Sequence, residues 1–183
     1  MNEKEKFLHN VTIICDTREQ RNLHIISALE RFKVRHTTRK LDFGDYSFEI
    51  FGKSFEMSCC IERKANIDEL WKNITADRQR FEKEIGAIHR IMGQPVILLE
   101  NCGDRSLLQK YVVSDSDMTR QNRKVKDIGK IIDDTLSSWA AANRYDLRIF
   151  YTQDPNKSAA VMLEVFYWHW HNFSEMSKPI RKN

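Results

Sequence analysis

Two uninterrupted apolar runs constrain the fold of this chain more than any other feature: VTIIC at residues 11–15 and PVILLE at 95–100. Both read as strands, and a run without polar alternation belongs where both faces of a sheet are covered. Helical periodicity fills the intervals. Leu23, Ile26, Leu29 and Phe32 predict an amphipathic helix over 22–33. Asn66 with Glu69 three residues on marks the start of a helix over 67–74. Phe81, Ile85, Ile88 and Met92 share the stripe of a longer helix that ends at Gly93, before Pro95. Ile128, Ile131, Ile132, Leu136, Trp139 and Ala140 predict another over 125–143. VRHTTRK and LRIFYT read as further strands, and SAAVMLEVFYWHWH as a closing helix. Residues 101–124, rich in Ser, Asp and Asn, predict a long connection with at most a helical turn. Strands alternating with helices, with one hairpin inserted, predict an α/β three-layer sandwich with a central mixed sheet flanked by helices.

A length of 183 residues suits one domain, with a core over 11–172 and tails at 1–10 and 173–183. The apolar fraction of 41% and charged fraction of 31% are ordinary for a soluble protein. No apolar run approaches the roughly 20 residues that span a bilayer, so no membrane association is expected. Cys15, Cys59, Cys60 and Cys102 lack paired zinc spacing and read as reduced, buried thiols of a cytoplasmic protein. The net charge of +4 is weak evidence for any partner, but its distribution is uneven. Residues 119–130 carry five basic side chains and one acidic one. Two readings stay open for that run, a solvated loop or a phosphate contact through Arg120, Arg123, Lys124 and Lys126.

The hairpin is where chemistry enters. Residues 45–51 and 55–63 form two strands around FGKSF, and the second, with Met57, Cys59 and Ile61 as its core side, ends in Glu62-Arg63-Lys64. With the turn near residue 52 or 53, Asp45 is expected opposite Cys60 and Glu62 diagonal to it on the same face, roughly 7 Å away. Lys64 shares that face and Arg63 points to the other. Two carboxylates so close repel, and a divalent cation with oxygen ligands, Mg²⁺ or Mn²⁺, relieves them. Such a set suits metal-assisted phosphodiester hydrolysis, with Lys64 orienting or deprotonating water. A solvated hairpin with an internal Glu-Lys pair would carry the same residues.

The wider pattern narrows the choice. DTRE (16–19), GDY (44–46), ERKANID (62–68) and ADRQRFEKE (76–84), in this order, resemble the nuclease domain of the XPF family. The family pattern GD…ERKxxxD is met in full by Gly44, Asp45, Glu62, Arg63, Lys64 and Asp68. VILLE and YTQDPNKSAAVMLEVFY extend the resemblance over about residues 11–172. The resemblance implies a restriction-endonuclease-like fold, a divalent metal, and cleavage of branched or flap DNA in repair or recombination. It implies Asp45, Glu62 and Asp16 as metal ligands or acids near the metal, and Lys64 as the catalytic lysine. Arg63, Asp68, Arg18, Glu19 and Arg78 would hold the network or touch phosphates. Asp68 could equally favour a helix dipole, and Arg78 could pair with Glu82 one turn on. No helicase or helix-hairpin-helix module is expected in these residues, which fits a stand-alone nuclease of bacterial or mobile-element origin.

His169 and His171 in WHWH cannot chelate one ion, because helical positions two apart point away from each other; packing is expected. The closing helix is apolar around nearly its whole circumference and needs cover on its outer side. A homodimer through that helix is expected, as the resemblance also implies; cover by the 125–143 helix is the competing account. Two other functional classes stay open: a non-catalytic DNA-binding subunit, and a restriction-type nuclease that prefers sequence.

Overall fold

The computed structural model describes residues 1–114, 118 and 125–177. Its centre is a mixed seven-stranded sheet. The strands are β1 (Val11–Cys15), β2 (Arg35–Thr38), β3 (Tyr46–Ile50), β4 (Lys53–Ser54), β5 (Ile61–Lys64), β6 (Val96–Glu100) and β7 (Arg148–Thr152). They lie in the order β2-β1-β3-β5-β6-β7, with β4 on β3. β1 is parallel to β2 and β5, β6 and β7 are mutually parallel, while β3 runs antiparallel to both groups. Both apolar runs sit where their composition requires: every residue of β6 is buried, and β1 is buried except at Thr12.

One face of the sheet carries α1 (Glu3–Asn10), α2 (Leu23–Arg31) and the closing helix α7 (Ser158–Met176) over a core that includes Phe7, Phe48, Phe55, Phe166 and Trp170. The other carries α3 (Ile67–Ile74), α4 (Arg78–Met92), α5 (Arg105–Gln109) and α6 (Ile128–Ala140) around Phe81, Ile97, Leu99 and Trp139. This is the expected three-layer sandwich. The punctuation of α3 and α4 was legible. Asn66 accepts the Glu69 N–H at 2.9 Å to cap α3, and Gly93, at φ 82°, closes α4.

Four expectations change. Residues 1–10 are no loose tail: an Asn2–Glu5 capping box starts α1, and Phe7 is fully buried against Tyr167 and Trp170. In α2 the buried side is Ile25, Ala28 and Leu29, while Leu23 and Phe32 face solvent. Both sets have helical spacing, and docking onto the sheet selected the one containing small Ala28. Ile131 of α6 is likewise exposed.

The fourth change is the hairpin. Phe51 and Gly52, both at positive φ, turn β3 into β4 with Ile50 opposite Lys53. The chain then leaves the sheet over residues 55–60 and rejoins at Ile61, opposite Tyr46. Phe55 stacks on Phe48 at 4.5 Å, which anchors the excursion, and Met57 is exposed rather than core. Asp45, next to Tyr46, therefore runs alongside Glu62 and not Cys60. A two-residue shift preserves the face of every side chain, so the convergence on one side survives.

Candidate active site

Gly44 makes the close approach possible. It sits at φ 68°, and a Cβ there would lie 3.0 Å from the Cys60 Cβ and Sγ atoms and 3.1 Å from the Ile61 carbonyl oxygen. Asp45 follows at the mouth of β3. Its Oδ2 accepts the Arg63 backbone N–H at 2.8 Å, tying the carboxylate to β5. Burial first, and the Glu62 carboxylate second, push Asp45 up to about 8, against the opposing pull of that N–H and of Lys64.

Glu62 and Lys64 share the α3/α4 face of β5, both buried, with Lys64 Nζ donating to Glu62 Oε1 at 2.7 Å. The ammonium also lies 4.8 Å from the centre of the Phe81 ring and 3.9 Å from Glu69 Oε1. Burial works against its charge, but Glu62 outweighs that and holds Lys64 above its ordinary range.

Arg63 points to the other face, as alternation requires. One guanidinium nitrogen pairs with Glu100 Oε2 at 2.8 Å and another lies 3.4 Å from each Glu19 oxygen. Glu100, the acid that ends β6, is almost fully buried and is held in turn by His24 at 2.8 Å and by the Ser158 hydroxyl. Despite burial, Arg63, Ser158 and His24 keep Glu100 below its usual range.

The other expected residues divide. Asp16 lies at this end of the sheet, and its backbone N–H donates to the Asp45 carbonyl at 2.8 Å. Its oxygens, however, accept from the Arg18 N–H and Nε and from the Leu41 N–H, at 2.6–2.8 Å. The carboxylate thus ties the loops after β1 and before β3, which competes with a ligand role. Burial would raise it, but these bonds keep it low. Arg18 is mostly exposed beside it, and Asp68 is half-buried in the first turn of α3. Arg78 makes the i,i+4 pair with Glu82 at 3.3 Å and faces solvent. Lys126 is exposed ahead of α6, while Arg120, Arg123 and Lys124 lie outside the described residues.

Glu84, Glu100 and His24 escaped the sequence reading. Glu100 had a signal, since an acid ending a covered strand must find a partner. Glu84 had one as well: with Phe81 and Ile88 it occupies an i, i+3, i+7 stripe that is otherwise apolar. His24 had none. Among the described residues, the three donors with ligand atoms mutually within 4.8 Å are Glu3, His171 and Glu175, on the surface where α1 meets α7. His169 instead packs edge-on to Phe48 and Phe55 and contacts Ser58.

The donor set fits a hard divalent cation. Carboxylate oxygens on neighbouring strands, one driven toward protonation by burial and by the other, are the ligands such ions take. A mixed sheet flanked by helices, bringing two carboxylates and a lysine to one edge, defines an α/β domain of the restriction-endonuclease-like kind. The chain belongs to the ERCC4 domain family, which matches residues 15–165. Its structure is similar to XPF from Aeropyrum pernix, with TM-score 0.60 and 19% identity over 90% of this chain and 68% of that one. The same protein in complex with DNA gives TM-score 0.57 and 19% identity, over 93% and 69% of the two chains. No curated protein matches the chain. No described helix is long and apolar enough to cross a membrane.

Proposed function

We propose that this protein is a DNA endonuclease that hydrolyses phosphodiester bonds with Mg²⁺ or Mn²⁺ held by Asp45 and Glu62. The observation that carries the reading is the convergence of Asp45, Glu62 and Lys64, with Asp45 raised to about 8 by burial and by Glu62. A cation held by Asp45 and Glu62 would supply Lewis-acid activation of water and would offset charge developing on the phosphate. Lys64, kept as an ammonium by Glu62, serves as a fixed positive donor toward the phosphate oxygens. Arg63, locked by Glu100, fixes β5, and its backbone N–H orients the Asp45 carboxylate. Asp16 with Arg18 and Leu41 positions the loop beside it, and Glu19 and Asp68 complete the acidic surroundings. Arg120, Arg123, Lys124 and Lys126 are proposed phosphate contacts. Membership of a nuclease family and the DNA-bound relative both support a DNA substrate, and branched or flap DNA is the preferred form on the strength of that family.

Labelled flap, fork, Holliday and linear duplex DNA, incubated with Mg²⁺, with Mn²⁺ and with EDTA, tests this. Metal-dependent cleavage, fastest on a branched substrate, is expected. Cleavage of none of the four, or undiminished cleavage in EDTA, would reject it.

A homodimer through α7 belongs to the same reading. α1 and α2 cover part of that helix, and α6, on the opposite face of the sheet, covers none of it. Trp168 remains half-exposed beside a cavity of about 480 Å³ lined in part by Phe150, Val165 and Met92. Light scattering at micromolar concentration should give twice the 21.7 kDa of the chain; the monomer mass, unchanged by DNA, would reject the dimer.

A further inference from the structure

We infer that Glu84 of α4 is a third acidic member of the cation site, beside Asp45 and Glu62; this rests on the endonuclease reading above. Three placements point to it. Glu84 follows Phe81 by three residues on the same side of α4, and the Phe81 ring lies against the Lys64 ammonium, 4.8 Å away. That stripe continues through buried Ile88, so Glu84 is directed toward the sheet and not to open solvent. The charges that act on it come from the site: Glu62, Lys64 and Arg18 beside its own-helix neighbour Arg80. Reciprocally, the field of Glu84 reaches Arg18 and Cys60, the residue that packs under Gly44. Burial, and then Glu62, push the Glu84 carboxyl above its usual range, which agrees with this placement.

Pairing with Arg80 does not account for Glu84. The 3.8 Å separation is long, and Arg80 is largely exposed, so it compensates little of an acid that is only about a quarter exposed. Asp45 lies at the mouth of β3, Glu62 in β5 and Glu84 in α4, so three separate elements would hold the cation.

The test is direct cation binding by the full chain without DNA. Mn²⁺ titration, followed by electron paramagnetic resonance of the free ion, compares wild type with Glu84→Gln, Asp45→Asn, Glu62→Gln and Glu82→Gln. Glu82 is on the same helix but bonds Arg144 and Tyr145, so its variant controls for net charge. Glu84→Gln should weaken Mn²⁺ binding about tenfold, and the Mg²⁺ concentration for half-maximal cleavage should rise in parallel, while Glu82→Gln binds as wild type. Binding by Glu84→Gln within twofold of wild type would overturn the inference, and loss of binding in Asp45→Asn and Glu62→Gln would then leave the proposed function standing. Failure of wild type itself to bind Mn²⁺ would remove both. Glu84→Ala repeats the measurement if the glutamine variant melts early; early melting of both would make Glu84 a packing residue and end the proposal.

Discussion

Strand β5 buries charge on both faces, and the two faces resolve it differently. On the α2/α7 side, Arg63 meets Glu100, and Glu100 is completed by His24 and Ser158, so each acid oxygen has a partner. On the α3/α4 side, Lys64 is the buried cation, set against Glu62 with Asp45 and Glu84 nearby. Glu100 is held low, whereas Asp45 and Glu84 are driven up. A satisfied network fixes geometry and leaves nothing for a ligand. An acid-rich one is destabilised until positive charge arrives, which is the condition of a site that binds a cation. Buried charges that complete one another, as Arg63 and Glu100 do, build the fold, and those left uncompensated await a partner.

The sharpest way to break it is to alter the acid-rich face and read activity. Asp45→Asn or Lys64→Ala should lower cleavage about a thousandfold with the far-ultraviolet dichroism unchanged. Either variant retaining more than a tenth of wild-type rate would sink the assignment. The opposite face should respond in stability instead. Glu100→Gln leaves the Arg63 guanidinium undercompensated in a buried setting and should cost about 3 kcal/mol in urea unfolding. A cost below about 1 kcal/mol would mean the network is not what holds β5 against β6.

Acidity separates the faces further. Asp45 has its folded pKa raised from 3.8 to about 8, so the stability it contributes is full below pH 3.8 and lost as pH rises toward 8. Glu100 is lowered, so its contribution is present above the ordinary glutamate range and lost on acidification. Asp45→Asn should therefore raise the melting temperature of the metal-free protein at pH 8 by several degrees and leave it little changed at pH 4, as thermal melts across that range would reveal. No gain at pH 8 would show that Asp45 is not under strain. The smallest effect belongs to the exposed Arg78–Glu82 pair. Arg78→Ala should change stability by less than about 0.5 kcal/mol and leave the cleavage rate intact; a large rate loss would place Arg78 on the DNA.

Local chemistry alone determined a good deal of this protein. VTIIC and PVILLE could only be covered strands, Asn66 and Gly93 marked helix ends, and Gly44-Asp45 with Glu62-Arg63-Lys64 already carried the acids, the lysine and the face assignment. These signals are local because capping, alternation and turn chemistry act within a few residues. Other features were decided only by the tertiary structure. The excursion at residues 55–60 depends on Phe55 finding Phe48, and the choice of Ile25, Ala28 and Leu29 as the buried face of α2 on its docking against the core. Asp16 spends its oxygens on Arg18 and on Leu41, 25 residues away in sequence, which no spacing rule could anticipate. His24 from α2 and Ser158 from α7 meet on Glu100 of β6, which pairs with Arg63, and Glu84 of α4 lies within the electrostatic reach of Glu62. Burial makes each of these meetings consequential: a charge withdrawn from water takes its energy from whichever groups the fold brings beside it, however distant in the chain.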